Sequence, residues 1–430
     1  MSEPLKVAIA GLGNVGVGVV KILQQHRELI ADRTGREIAI TAVSARSRNS
    51  NRGVDLSNYT WVDNAADLAQ MDDVDIVVEA IGGEDGIALE LAQNALKNSK
   101  SFVTANKAMV AHHGALLADL AQDNNVALRF EAAVAGGIPI IKAIGEGLAA
   151  NQLSLVYGIM NGTTNYMLSQ MEATGKSYDE ILEETDALGY LEADPALDLD
   201  GIDAAHKLAI LSSVAFGTKT DFDNVYIEGI RAIETVDIAY GKELGYRIKL
   251  LGITKYENGT LSQRFHPVMI DRELPIARVM DGFNALVVDG DYIDRTFYQG
   301  RGAGEGPTAS AIVADIIDIA RGHNGAAFFK PSHKLVDAQS VTINERQGAY
   351  YVRLHVEDHA GVIADITTSL KDANVSVETM LQKGTERDGT VYVIMTTHET
   401  RETAMKDALN RINELSSVIE NPLSIRIEKL

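Results

Sequence analysis

The chain has 430 residues, of which 46% are hydrophobic, and it carries a formal net charge of -21. This length predicts two or three domains with ordinary cores, and the negative charge argues against nucleic acid or an anionic membrane as a partner. The sequence contains no cysteine, which excludes disulfides, thiolate metal sites and thiol nucleophiles.

The amino-terminal residues MSEPLKVAIAG lead directly into an apolar strand without the pattern of a signal peptide. No apolar run along the chain is long enough to span a bilayer. We therefore expect a cytoplasmic protein.

A glycine-rich turn follows this first strand. In KVAIAGLGNVG, residues 6–16, the glycines lie between a strand and a helical pattern, where they allow a tight turn, the approach of a pyrophosphate and close packing of helix on strand. The alternative is that they serve the turn alone. The predicted cofactor contacts at this turn are Gly11, Gly13, Asn14, Val15 and Gly16.

Further strand patterns alternate with helical stretches through the first third of the chain. The strand patterns are ITAVSA, DIVVEAIGG, SFVTANK and ALRFEAAV. This alternation predicts a doubly wound parallel sheet of Rossmann type that binds a dinucleotide.

The second strand ends in SARSRNSNR, which contains no acid. An NAD site normally has an Asp or Glu at this point to accept the ribose 2′-hydroxyl, whereas Ser44, Arg46 and Arg48 suit a 2′-phosphate. We therefore predict NADP as the preferred cofactor, with NAD as the other choice. The alternative is that these arginines are solvated loop charges.

Adjacent His112 and His113 fall within a helical stretch. Successive side chains on a helix point in different directions, so we interpret both as surface residues and not as metal ligands.

Acids crowd before an apolar helix in EADPALDLDGIDAAHK, residues 192–207. Asp203 and Lys207 are four residues apart and share a helix face, while Gly201 allows something to approach the backbone. The pattern indicates a pocket for a small polar molecule. The alternative is an exposed acidic loop before a buried helix with one snorkelling lysine.

The middle of the chain has a mixed pattern. NVYIEGI, TLSQRFHPVMI and ALVVDGDYI predict strands, and VDIAYGKELGYRIKLLGI predicts a helix. A second glycine-rich turn, YQGRGAGEGP, precedes another helix with Pro307 near its start. We predict a mixed α+β domain that also forms a dimer interface.

The carboxyl-terminal part is organised differently. Residues 322–348 have a loose pattern typical of a linker. The remainder alternates as strand, helix, two strands, helix and strand, with DHAGV after the first strand. This order predicts a ferredoxin-like βαββαβ module.

Several of these motifs, in this order, carry a family resemblance. GLGNVG, TANK at 104–107, EAAVAGGIP at 131–139, GIMNGTTNYML at 158–168 and the acidic stretch resemble homoserine dehydrogenase over about the first 325 residues, and the final module resembles an ACT domain. The resemblance implies a dinucleotide-binding domain, a substrate-binding, catalytic and dimerisation domain, a linker and a regulatory ACT domain. Their expected bounds are 1–135 with about 301–321, then 136–300, 322–348 and 349–430.

The resemblance implies reversible, NAD(P)H-dependent reduction of L-aspartate 4-semialdehyde to L-homoserine, on the route to threonine, methionine and isoleucine. Lys207 is expected to exchange the proton, Asp203 to hold and tune that ammonium, and Lys107 to reach both nicotinamide and substrate. The substrate ammonium is expected at Glu192, and Asp198 is expected among the substrate-binding residues. Thr104 and Gly304 are expected beside the cofactor.

Two features of the chain bear on the alternatives. Oxidation of the same aldehyde to an acyl phosphate normally needs a thiol, and the chain has none. The other candidate functions are a related dehydrogenase for another small amino acid and a non-catalytic protein that responds to amino acids. The two lysines favour an enzyme, because a sensor does not need them at a nicotinamide.

The resemblance also implies a monovalent cation such as sodium in EAAVAGGIP. The carbonyls of Val134, Gly136 and Ile138, with Glu131 nearby, are the expected ligands, and oxygen atoms suit such a hard ion. The alternative is a glycine-rich hinge between domains.

The ACT resemblance implies a homo-oligomer, dimer or tetramer, that binds an amino-acid effector, for which we expect L-threonine. The alternative is a purely structural dimerisation module. The expected regulatory residues are Asp358, Gly361, Val362, Asn374 and Ser376.

Overall fold

The computed structural model describes residues 3–191, 195–383 and 389–430. Its first sheet contains the strands Leu5–Ala10 (β1), Ile38–Ser44 (β2), Thr60–Trp61 (β3), Ile76–Glu79 (β4), Ser101–Thr104 (β5) and Leu128–Arg129 (β6). All neighbouring strands are parallel, in the order β3-β2-β1-β4-β5-β6. The chain therefore reverses direction across the sheet between β1 and β4, the position where doubly wound sheets bind ligands.

Four helices accompany this sheet. They are Asn14–Gln25 (α1), Arg27–Thr34 (α2), Ile87–Lys97 (α3) and Lys107–Asp123 (α4). The predicted Rossmann-type sheet is confirmed.

The middle region is a mixture of helices and long antiparallel strands. Its helices are Ile140–Lys142 (α5), Gly162–Thr174 (α6), Tyr178–Ala187 (α7), Pro195–Leu199 (α8), Ile202–Phe216 (α9) and Thr235–Glu243 (α10). Its strands are Leu153–Ile159 (β7), Tyr226–Ile227 (β8), Tyr246–Glu257 (β9), Thr260–Asp271 (β10), Phe283–Gly290 (β11) and Asp294–Arg301 (β12). The predicted α+β character is confirmed.

One predicted helix is wrong in its second half. The stretch VDIAYGKELGYRIKLLGI forms α10 only as far as Glu243, and Gly245, with a φ of 85°, turns the chain into β9. Strand β9 pairs with β10 on one side and β7 on the other. Residues 248–254 of β9 are all buried, so both faces of the strand are buried and its continuous run cannot be distinguished from a helix by periodicity.

The next helix, Glu305–Ala320 (α11), returns to the first sheet. A Cβ added at Gly18 of α1 would lie 2.9 Å from the Cβ of Ala309, and Lys21 pairs with Glu305 at 2.6 Å. The middle region thus separates α11 in sequence from the elements on which it packs. In the described part of the chain, no helix has both the length and the apolar content needed to cross a bilayer.

The carboxyl-terminal elements have the predicted βαββαβ order. Their strands and helices are Gln339–Ser340 (β13), Gln347–Glu357 (β14), Val362–Asp372 (α12), Val377–Gln382 (β15), Thr390–Thr397 (β16), Thr400–Arg401 (β17), Glu402–Asn413 (α13) and Leu423–Ile427 (β18). The predicted ferredoxin-like module consists of β14, α12, β15, β16, α13 and β18.

The module shares one sheet with the middle region. Strand β18 pairs in parallel with β10 and antiparallel with β14, so a 12-stranded sheet runs in the order β12-β11-β7-β9-β10-β18-β14-β16-β15, with three short strands beside this path. Within the stretch predicted to be a linker, β13 pairs with β10. Backbone pairing between distant segments leaves no periodic signal in the sequence.

Buried charges join the same two regions. Arg353 of β14 forms an ion pair with Asp237 of α10, with 2.9 Å between Nε and Oδ1, and the hydroxyl of Tyr351 donates to the same carboxylate at 3.0 Å. Burial raises the pKa of Asp237 to about 6, although the guanidinium opposes this. A buried charge that loses its partner is costly, so this contact resists separation of the module.

Candidate active site

A cleft of about 500 Å³ opens at the carboxyl ends of the central strands of the first sheet. Gly11, with a φ of 94°, lies so close to β4 that an added Cβ would be 2.4 Å from the carbonyl oxygen of Ala80. A Cβ on Gly16 would lie 1.9 Å from the carbonyl oxygen of Gly11, whereas one on Gly13 would meet nothing within 4 Å. The turn therefore leaves space at Gly13, where a phosphate can approach.

Helix α1 begins at this space. Asn14 and Val15 are its first residues, and N–H groups in the first turn of a helix have no intrahelical partner. Such a helix end attracts a phosphate.

Two arginines line the cleft. Arg46 is exposed and has no hydrogen bond or ion pair among the described residues. Arg52, which the sequence analysis did not select, donates through Nε to the carbonyl of Leu12 at 3.2 Å. Arg48 does not line the cleft, and its guanidinium lies 6.0 Å from the ring centroid of Trp61.

The cleft also contains an acid. Asp63 lines it and accepts a hydrogen bond from the indole N–H of Trp61 at 3.1 Å. Asp63 follows the short strand β3, so the rule that looks for an acid at the end of the second strand misses it.

Thr104 is fully buried, and its hydroxyl donates to Glu79 Oε2 at 2.5 Å. The other oxygen of Glu79 accepts the N–H groups of Ile81 and Gly82, at 2.6 and 2.9 Å. Thr104 thus supports the loops on which the cleft is built and is not among the residues that line it. Glu79 was missed, although an acid that ends an apolar strand was a signal for it.

Three predicted catalytic residues meet where α4 and α9 pack together. Lys107 is the first residue of α4, and its ammonium pairs with Asp203 Oδ1. Lys207 lies one turn after Asp203 on α9, with Nζ 2.8 Å from Oδ2, and it donates to the carbonyl of Met160 at 3.0 Å. One carboxylate therefore lies between two ammonium groups.

Electrostatics keep this carboxylate ionised. Burial alone raises the pKa of Asp203, but the ammonium groups of Lys207 and Lys107 outweigh burial and hold the pKa well below its usual range. The cluster consequently has a net positive charge, which suits an oxygen that becomes negative during a reaction.

The other acids of this stretch have different surroundings. Asp198 is buried in α8 and accepts a hydrogen bond from the amide of Asn161 at 2.7 Å. Asp200 pairs instead with Arg231, with 2.5 Å between Oδ1 and Nε. Glu192 lies outside the described residues.

An aromatic cluster adjoins the lysines. His206 of α9 stacks on Phe222, with 4.2 Å between the ring centroids. His112 of α4 packs edge-on against the His206 ring, with 5.4 Å between the centroids. Burial, followed by the neighbouring His112, lowers the pKa of His206 to about 4. The His206 ring is therefore neutral at pH 7.

The segment predicted to hold a cation is a tight turn. A Cβ on Gly136, whose φ is 43°, would lie 2.7 Å from the carbonyl oxygen of Gly302. Between this turn and α11, the buried carboxylate of Glu131 accepts the N–H groups of Ile141 and Lys142, at 2.9 and 2.8 Å. Burial, followed by the charge of Asp315, raises the pKa of Glu131 to about 8. The buried carboxyl groups of Glu131 and Asp315 thus lie close together, and the ammonium of Lys142 pairs with Asp315.

Gly304 lies at the N-cap of α11 with a φ of 120°. It is not among the residues that line the cleft. Its expected place beside the cofactor therefore stays a prediction.

The expected regulatory residues form two separate groups. Asp358, Gly361 and Val362 lie at the start of α12, whereas Asn374 and Ser376 follow its end and line an open cavity of about 350 Å³. A helix of this length separates the groups by about 16 Å. One copy of the module therefore does not bring them together.

The Rossmann sheet, the glycine-lined cleft and the lysine pair define a nicotinamide-dependent oxidoreductase. Three protein-family models match the chain. The NAD-binding domain of homoserine dehydrogenase matches residues 11–131, homoserine dehydrogenase matches residues 139–317, and the ACT domain matches residues 350–416. The homoserine dehydrogenase of Pseudomonas aeruginosa is 41% identical over 435 residues, covering 100% of both chains. The chain belongs to the homoserine dehydrogenase family.

Solved structures agree. A homoserine dehydrogenase from Thiobacillus denitrificans has a TM-score of 0.93 at 41% identity, covering 99% of this chain and 98% of the other. A hyperthermophilic archaeal homoserine dehydrogenase in complex with NADPH has a TM-score of 0.64 at 25% identity, and the match covers 73% of this chain and 97% of the archaeal one. The predicted family, fold class and function are confirmed: the chain is an NAD(P)-dependent oxidoreductase that interconverts homoserine and aspartate 4-semialdehyde.

Proposed function

We propose that Lys207 exchanges the proton that accompanies hydride transfer at the substrate carbon. The observation that carries this proposal is the position of Asp203 between the ammonium groups of Lys107 and Lys207. When bound, the nicotinamide supplies or accepts the hydride. As the aldehyde is reduced, its oxygen gains negative charge, and an ammonium beside it can both stabilise that charge and donate a proton.

Asp203 holds Lys207 for this step, and the carbonyl of Met160 fixes the same ammonium from another direction. Both partners accept hydrogen bonds and neither supplies a proton, so they orient the lysine without competing for its role. Lys107, at the first turn of α4, serves as the second cation and reaches both nicotinamide and substrate.

The ammonium of the substrate needs an anion. Asp198 is buried and is held by Asn161, the residue after Met160, whose carbonyl binds Lys207. We assign Asp198 and Glu192 to the substrate ammonium. In this arrangement the substrate lies with its amino group toward the acids and its reacting oxygen toward the lysines.

The decisive experiment is Lys207→Ala, assayed by nicotinamide absorbance with homoserine. Turnover is expected to fall by about 100-fold to 10,000-fold, because that is the usual contribution of a positioned proton donor. Cofactor affinity, measured by fluorescence titration, is expected to stay near that of the parent. Lys219→Ala, which removes an exposed lysine paired with Asp337, is the control. Near-normal turnover of the Lys207 variant contradicts the assignment.

For the cofactor we propose a preference for NADP over NAD. Arg46 supports this choice, since it lines the cleft and its guanidinium has no protein partner among the described residues. Gly11, Gly13 and the start of α1 are assigned to the pyrophosphate, and Thr104 and Gly304 to the nicotinamide side.

We further propose that a monovalent cation such as sodium binds Glu131 together with the carbonyls of Val134, Gly136 and Ile138. The excess of buried carboxylate around Glu131 and Asp315 supports this proposal, because a cation would offset it. At pH 8 and constant ionic strength, sodium should raise the unfolding midpoint relative to tetramethylammonium, and Glu131→Gln should abolish the difference. Equal midpoints in the two salts for the parent protein would argue against this site.

For the ACT module we propose that L-threonine binds between two copies and inhibits the distant active site. The separation of the two predicted groups along α12 supports binding between copies, since each copy then supplies one group. The protein is thus a homo-oligomer, at least a dimer. The domain bounds proposed above follow the same division, with 349–430 as the regulatory unit.

A further inference from the structure

Glu84, His112 and His206 come from three different elements and meet beside the active site. Glu84 lies in the loop after β4, His112 in α4 and His206 in α9. One ligand atom from each lies within 4.8 Å of the other two, and the Glu84 carboxylate is 3.3 Å from His112 Nε2. These residues have no role in the proton transfer proposed above.

His206 carries the strongest signal for a ligand. Its side chain is only 8% exposed, and no described residue forms a hydrogen bond with its ring. Its ring nitrogens are not among the fully enclosed, unpartnered side-chain atoms of the described residues, so a small ligand can reach them. The stacked ring of Phe222 holds His206 in place but supplies no hydrogen bond.

We propose that Glu84, His112 and His206 bind one divalent transition-metal ion, with Zn²⁺ as the preferred ion. Two imidazoles and one carboxylate form a set that suits zinc, and three protein ligands leave a fourth position for water. Tetrahedral coordination with such ligands places the ligand atoms about 3.4 Å apart. Because Glu84 and His112 are both exposed, rotation of their side chains can close the remaining gap.

The position of the site gives it a consequence. The ion would connect the loop after β4 and α4, both on the nucleotide side, to α9, which carries Asp203 and Lys207. It would also add positive charge beside two ammonium groups. Because the ion would hold α9 fixed against the nucleotide side, we expect zinc to slow turnover, and this effect depends on His112.

The test uses the full chain, freed of metal with a chelator and titrated with Co²⁺ as a spectroscopic substitute for zinc. One equivalent is expected to produce the intense visible bands of four-coordinate cobalt, and Zn²⁺ is expected to displace it. His112→Asn should weaken binding by more than about 10-fold, the lower range for loss of even an outer-shell partner. Glu84→Gln should weaken it as well.

His113→Asn is the matched control, because His113 is the next residue on the same helix and pairs with Asp85 at 2.8 Å. It should retain the cobalt spectrum. Absence of saturable binding, or equal binding by the two histidine variants, overturns the proposal. Since the readout is a metal spectrum, it is independent of whether Lys207 is the proton donor.

The inhibitory role has its own measurement. Turnover of homoserine with NADP is expected to decline as zinc occupies the site, and His112→Asn should shift this decline to concentrations higher by the same factor as the loss of affinity. Inhibition that stays unchanged in the variant overturns the inhibitory role.

Discussion

Asp203 is the residue on which the two catalytic lysines depend. Its carboxylate touches both ammonium groups, and these are the groups that keep it ionised although it is buried. The dependence is mutual, because the same carboxylate reduces the repulsion between the two lysines.

Asp203→Asn removes this shared anion and should lower the turnover of homoserine by about 100-fold, because a catalytic group that is displaced by about 1 Å can lose that much. The measurement is kcat for homoserine oxidation at saturating cofactor and substrate. Asp200→Asn is the control, because Asp200 belongs to the same acidic stretch but pairs with Arg231 at the surface. An unchanged kcat would show that Asp203 does not hold the lysine that exchanges the proton.

Cofactor choice is also decided by single residues. Arg46→Ala should weaken NADP by up to about 3 kcal/mol and NAD much less, because only NADP offers a phosphate for a charge-assisted hydrogen bond. Arg48→Ala should leave both nearly unchanged, since Arg48 lies against Trp61 outside the cleft. Michaelis constants for both cofactors provide the measurement, and equal losses for NADP and NAD in the Arg46 variant would refute the preference.

At the scale of elements, Glu131 joins the start of α5 to α11. It accepts two N–H groups at α5, and its own N–H donates to Asp315 of α11 at 2.9 Å. The pKa of Glu131 is about 8 in the folded chain and about 4.3 in an unfolded one. Between these values the folded state binds more protons than the unfolded state, so a rise in pH destabilises this junction.

The free energy of unfolding should therefore decrease as pH rises from about 5 to 8, with a contribution from Glu131 of at most ~1.4 kcal/mol per pH unit. Glu131→Gln cannot ionise and should lose this contribution. Urea unfolding at a series of pH values measures it, with the exposed Glu146→Gln as control. Identical pH slopes for Glu131→Gln and the parent would contradict the raised pKa.

Elements with a periodic or punctuated pattern were predicted correctly from sequence. The glycine turn before α1 and the pair Asp203 and Lys207 follow from local spacing, which a helix preserves. Strand β9 was not recognised, because a strand buried on both faces has no alternation. Arg52 and Asp63 were missed, since their places at the cleft depend on loops whose conformation no short pattern specifies, whereas Glu79 ends an apolar strand and could have been selected.

At the scale of the whole molecule, the ACT module must influence a site in another region, and such coupling is typically about 1–3 kcal/mol. Asn374→Gly should weaken threonine inhibition by about 5-fold to 150-fold while homoserine oxidation is retained. Glycine is suitable here because Asn374 has a φ of 58°, so the change removes the amide without straining the backbone.

Asn258→Gly is the matched control, since it is another asparagine with positive φ, at 51°, in the β9–β10 turn. Inhibition curves with threonine provide the measurement. An unchanged inhibition constant for Asn374→Gly would mean that threonine binds elsewhere, for instance at the active site as an analogue of homoserine.

The shared sheet imposes an order on folding during synthesis. Of its strands, β18 is the last to be translated, yet it lies between β10 and β14. The two halves of the sheet can each form while the ribosome is still at work, but they cannot join until residues 423–427 have emerged. A chain stalled before that point leaves residues 268–269 of β10 and residues 349–353 of β14 without the strand partner that β18 provides, and each stretch is a template for pairing with another nascent chain.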